Sequence, residues 1–145
     1  MARPTPKLRP GVTVESLLRG QATNLPLLLG FEPLELEPGR LTAQLSIGPQ
    51  HLAPNGYLHA ATIVMLADTA CGLGCWAHLP DGANGFTTIE LKANLLGTAL
   101  DGTISAEATA AHAGRSTQVW DAVVQQGDRT LALFRCTQMV LYPKR

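Results

Sequence analysis

A carboxylate inside an otherwise apolar run is the first place where this chain could do chemistry. Asp68 stands in the middle of HAATIVMLADTACGLGCWAHL, residues 59–79, where histidines are the only other titratable groups besides two thiols. Taking an ionised carboxylate out of water costs several kcal/mol unless it is paired, so such a group persists only with partners or a purpose. The bland alternative is a structural acid satisfied by Thr69 or by backbone groups. The functional one is a general base or a nucleophile aimed at a carbonyl. Cys71, Cys75 and His78 follow on the same segment. Two thiols and one imidazole lack the ligands of a zinc site, and small cysteines pack well in helices, so core filling is expected and no metal.

The element that positions Asp68 reads as a helix. Its length, its lack of two-residue alternation and the closing Pro80-Asp81-Gly82 all favour one, apolar on nearly every side and therefore buried on nearly every side. Ala60, Ala61, Ala67, Ala70, Gly72 and Gly74 keep it thin, so surrounding backbone can come close. The run is long enough to span a bilayer, but Asp68 would then lie at mid-depth, and amphipathic strand patterns follow it. No membrane is expected.

The flanking sequence supplies the cover. Pro4, Pro6 and Pro10 make residues 1–12 a flexible tail, ahead of a single domain over 13–145. Thr13 caps a short helix through Glu15, Leu17 and Leu18, and Pro26 breaks any extension. Leu34 and Leu36 lead through the turn Glu37-Pro38-Gly39-Arg40 into Leu41, Ala43, Leu45 and Ile47, which alternate with polar residues. Four more alternating segments, 86–96, 103–112, 116–126 and 131–142, follow the helix as an antiparallel meander, broken at Gly97, Asp101-Gly102, Gly114-Arg115 and Gly127-Asp128-Arg129. The fold class is α+β, a curved antiparallel sheet wrapped around one long central helix. One small sheet cannot cover so apolar a helix, so a homodimer, or a homotetramer as a dimer of dimers, is expected.

Composition closes off other classes. Eleven basic residues offset eleven acidic ones, leaving no global field to hold nucleic acid or an anionic membrane. Three cysteines, an odd number without scaffold spacing, point to free thiols in the cytoplasm. MARPTPKLRPG lacks the apolar stretch of a secretion signal. There is no P-loop, no dinucleotide glycine pattern and no Ser-His-Asp signature, and no cofactor is expected.

The segment His51-Leu52-Ala53-Pro54-Asn55-Gly56-Tyr57-Leu58-His59-Ala60-Ala61, continuing to Asp68, resembles the phenylacetyl-CoA and 4-hydroxybenzoyl-CoA thioesterase branch of the hot-dog superfamily. That branch reads H-x-N-x-x-G-x-x-H-G-G, with an acid nine residues after the second histidine. The stretches 87–94, 112–116 and 132–135 resemble its later strands, and the likeness covers roughly residues 30–142. It implies hydrolysis of acyl-CoA thioesters at sites on a subunit interface.

The resemblance also assigns roles. Asp68 is the base or nucleophile, and the Ala60 amide at the helix start receives the thioester carbonyl. Thr88 assists from the neighbouring subunit, and His59 shapes the helix start by hydrogen bonding. Gly56 and Ala61 line the substrate, while Arg115, beside Ser116, meets the CoA phosphates. Two departures stand out: Ala53 replaces the usual Asn, with Asn55 as the candidate substitute, and Ala60-Ala61 replaces the glycine pair. The alternatives are an acyl-CoA-binding protein without turnover, or an enoyl-thioester hydratase or dehydratase built on a catalytic histidine.

Overall fold

The computed structural model describes residues 6–19 and 23–144. Thr13 and Ser16 close a reciprocal cap on helix α1 (Val14–Leu17), each hydroxyl accepting the other's N–H. Pro26, expected only to end this helix, opens another, α2 (Leu25–Leu28), which Asn24 caps. Proline is tolerated there because first-turn N–H groups have no helical partner to lose. Of the expected tail, residues 1–5 lie outside the described residues. Residues 6–12 run against the far end of the central helix, where Arg9 N–H donates to the Ala77 carbonyl at 2.8 Å and the Arg9 guanidinium lies 4.7 Å over the Trp76 ring.

That helix, α3 (Ala60–Ala77), is enclosed by strands β1 (Glu32–Glu37), β2 (Arg40–Ser46), β3 (Gly85–Leu95), β4 (Thr103–Ala113), β5 (Thr117–Gln126) and β6 (Arg129–Leu141). They form one antiparallel sheet in the order β1-β2-β4-β5-β6-β3. The expected meander is therefore corrected at β3, which pairs with β6 at the far edge and leaves β4 to pair with β2. Alternation identifies the faces of a strand but not its neighbours. Here β3 must start where α3 ends, and α3 lies across the sheet.

The inner face is built as the alternation dictates, with Leu41, Ala43 and Leu45 of β2 and Ile104, Ala106 and Ala108 of β4 buried against Ile63, Leu66 and Ala67 of α3. Most of α3 is buried in this way. Gly74 is small for a specific reason: a Cβ there would stand 2.7 Å from the fully buried Trp120 ring. Trp120 Nε1 donates to Gln118 Oε1 at 2.9 Å, and Gln118 Nε2 donates to the His78 carbonyl at 3.0 Å.

His78 is likewise bound into the scaffold. Its Nδ1 meets the Gly74 carbonyl at 2.7 Å and its Nε2 accepts the Gly39 N–H at 2.8 Å. Burial lowers its pKa, which favours the neutral ring, able to accept at one nitrogen and donate at the other. All three cysteines are buried and unpaired by disulfides.

Candidate active site

The start of α3 is held by two histidines. His59 Nδ1 accepts the Ala61 N–H at 2.9 Å and caps the helix, while its carbonyl accepts the Thr62 N–H. The His51 carbonyl takes the His59 N–H and the Thr62 hydroxyl, both at 2.9 Å. The His51 ring is spoken for as well, between the Gly48 N–H at 2.8 Å and the Leu29 carbonyl at 2.6 Å. The Ala60 N–H is left on an exposed first turn, with no acceptor among the described residues. A helix N-terminus of this kind favours negative charge, as on a carbonyl oxygen under attack.

Asn55 Oδ1 accepts the Tyr57 N–H at 3.2 Å, in a solvent-exposed turn in which Gly56 takes φ +84°. That left-handed conformation suits glycine alone without strain. Ala53, half-buried, uses its N–H on the Tyr57 carbonyl at 2.7 Å. His59 and Ala61 line a cleft beside the helix start together with Leu25, Gln50 and Met65.

Asp68 opens into a different cleft, of about 150 Å³, whose walls are Thr69, Gly72, Leu73, Phe86 and Thr88. Its Oδ1 is buried without a hydrogen-bond partner among the described residues. Burial in these apolar surroundings pushes the carboxyl above the usual carboxylate pKa. The structural-acid alternative, satisfaction by Thr69, is not realised at that oxygen. Gly72 gives the cleft its floor, because a Cβ there would stand 3.2 Å from the Phe86 ring.

The resemblance brings Thr88 from the neighbouring subunit; within one chain, Thr88 also lines the cleft that holds Asp68. The short connection from α3 to β3 returns the strand directly alongside the second half of the helix. The Thr88 hydroxyl donates to Gln138 Oε1 at 2.8 Å. Gln138 and Phe86 were not among the expected site residues. The available signal for Gln138 was a carboxamide at an inward position of an alternating strand, between Cys136 and Val140.

The structure does not gather all the expected residues at one point. Asp68 and Thr88 come together; Ala60, Ala61 and His59 form a second group. Asp68 lies eight positions along the helix from Ala60, a rise of about 12 Å. Arg115 lies in a third place, an open cleft of about 630 Å³ that Lys7, Arg9 and Asp81 also line. Its guanidinium is 5.9 Å from the Tyr142 ring, and it has no carboxylate partner among the described residues. The neighbouring Ser116 is exposed, and its carbonyl accepts the Val140 N–H.

Known proteins give this geometry its context. Residues 55–133 match the family described as the Thioesterase superfamily. The chain is 33% identical over 110 residues to 1,4-dihydroxy-2-naphthoyl-CoA hydrolase of Listeria monocytogenes, covering 75% of this chain and 89% of that protein. A solved variant of thioesterase PA1618 from Pseudomonas aeruginosa superposes with a TM-score of 0.86 at 27% identity, over 92% of this chain and 97% of that one. The PaaI protein of E. coli, from the phenylacetic acid degradation operon, shares the fold with a TM-score of 0.78 at 22% identity, over 88% and 89% of the two chains. With its curved six-stranded sheet around one central helix and its buried acid on that helix, the chain belongs to the thioesterase superfamily, as a hot-dog-fold thioester hydrolase.

Proposed function

We propose that this protein hydrolyses acyl-CoA thioesters, with aromatic acyl groups preferred, at sites that two copies of the chain build together. The observation that carries the proposal is the buried, unpartnered Asp68 Oδ1 in an apolar cleft. A carboxylate whose affinity for protons is raised by burial is a better base than an exposed one. The Phe86 ring and Leu73 give the acyl group an apolar wall, and the hydrolase of Listeria monocytogenes is named for an aromatic substrate.

The helix geometry argues for the second copy. An amide about 12 Å along the same helix cannot polarise a carbonyl that Asp68 attacks. The Ala60 N–H that serves Asp68 therefore comes from a partner subunit. An edge is available for the pairing: β3 has a neighbour on one side only, and Ile89, Leu91 and Leu95 along it are exposed. Edges of this kind pair with another chain unless blocked. The CoA phosphates lie toward Arg115, whose cleft also collects Lys7 and Arg9. Three buried free thiols fit a cytoplasmic enzyme.

A histidine-based hydratase is disfavoured, because both ring nitrogens of His51 and the Nδ1 of His59 are engaged in holding backbone. The test is release of free CoA thiol from benzoyl-, phenylacetyl- and dihydroxynaphthoyl-CoA beside straight-chain acyl-CoAs. Turnover concentrated on the aromatic esters is expected. Binding across the panel with no thiol released would replace this reading with the non-catalytic one.

A further inference from the structure

Gln138 is fully buried, on the inner face of β6. Its Oε1 accepts the Thr88 hydroxyl at 2.8 Å and its Nε2 donates to Cys136 Sγ at 3.2 Å. A carboxamide at such a position has to be desolvated, and an apolar side chain of similar volume would fill the space without that cost. Packing alone therefore does not account for it.

The backbone supports the same contact. Thr88 pairs with Gln138 across β3 and β6, and the ladder slips by one residue immediately after Thr88. A bulge of this kind re-aims the side chain next to it.

The direction of the Thr88 hydrogen bond has a chemical consequence. A hydroxyl has one proton, and that of Thr88 goes to Gln138, so only its lone pairs face the cleft. An ionised Asp68 is likewise an acceptor and nothing else. Two acceptors on one cleft call for a donor with two protons. We infer that Gln138 is a positioning residue: it turns the Thr88 hydroxyl into an acceptor, so that one water molecule is held between Thr88 Oγ1 and the Asp68 carboxylate with a lone pair free for the thioester carbon.

This inference rests on the thioesterase reading above and narrows it to the general-base route. The water oxygen bonds to the carbonyl carbon as its proton passes to Asp68. The carbon–sulfur bond then breaks, and the CoA thiolate leaves, taking that proton back from Asp68. Acid and CoA thiol are the products, and Asp68 is regenerated ionised.

The test is Gln138→Met, similar in length but unable to accept the hydroxyl proton, with Thr88→Val and the double variant beside it. Freed of Gln138, the Thr88 hydroxyl turns to donate to Asp68. We expect kcat to fall about tenfold with KM little changed, and the acid limb of the kcat pH profile to move to lower pH. The double variant should be no slower than Thr88→Val alone, since Gln138 acts through Thr88. Gln138→Leu, which also lacks the acceptor oxygen, should show the same fall in kcat and the same shift of the acid limb, and serves if the methionine variant fails to fold.

Unchanged kcat in Gln138→Met with a lowered melting temperature would make Gln138 structural and overturn the inference. Effects of Gln138→Met and Thr88→Val that multiply would do the same, as would labelled solvent oxygen appearing in Asp68 during a single turnover. Failure of the underlying reading is recognised separately, by Asp68→Asn retaining full turnover.

Discussion

Replacing Ala60 by proline removes one N–H and almost nothing else. Ala60 is the first residue of α3, where the N–H has no helical acceptor and proline is the favoured residue. Proline also restricts the residue before it to extended backbone, and His59 already has φ −69° and ψ 136°. The cap survives, since His59 Nδ1 holds Ala61 and the His59 carbonyl holds Thr62. Folding stability should therefore change by less than about 1 kcal/mol. If the Ala60 N–H receives the carbonyl oxygen as it gains charge, its loss should lower kcat by about 10²- to 10³-fold, or about 3–4 kcal/mol of transition-state stabilisation. Release of CoA thiol measures the rate, and circular dichroism with light scattering checks the helix and the oligomer. Mixing this variant with Asp68→Asn under exchange conditions then tests the shared site. Mixed dimers carry one intact pair of Asp68 and partner Ala60, so about a quarter of the parent activity should return. A folded Ala60→Pro protein within a few-fold of the parent rate would refute the assignment of the amide. Two dead variants that never complement would refute the division between subunits.

Asp68→Asn should cut kcat by about 10²-fold or more while leaving substrate binding in place. It should also stabilise the fold: burial raises the Asp68 pKa, so the folded parent loses stability as pH rises through the carboxylate range. The gain in melting temperature is therefore expected at neutral pH and above, and should vanish at acid pH where Asp68 is protonated. For the parent, the acid limb of kcat should lie above the usual carboxylate range; a limb at or below it would contradict the burial argument. Gly74→Ala forces a Cβ to 2.7 Å from Trp120, an overpacking cost of about 1–3 kcal/mol that outweighs the gain of about 1 kcal/mol in helix propensity, so chemical denaturation should show net destabilisation. Arg115→Ala should raise KM with kcat nearly unchanged, as expected of a group that holds phosphate equally in ground and transition states; the opposite split would remove Arg115 from the phosphate site.

Much of this protein is legible in the sequence because its physics is local. Leu41, Ala43 and Leu45 must face one way on any strand, and a helix as apolar as residues 60–77 must be enclosed. An unpaired Asp68 in its middle is conspicuous for the same reason, since desolvation penalises it wherever the helix is packed. What the chain order could not determine was which distant elements meet. Strand alternation says nothing about partners, so β3 read as a meander neighbour of β4 and instead lies at the edge beside β6. That placement puts Thr88 in one cleft with Asp68, backs it with Gln138 fifty residues away, and leaves β3 with a neighbour on one side only. Pairing across a sheet is set by the packing of whole faces on the helix, which no local stretch of residues specifies.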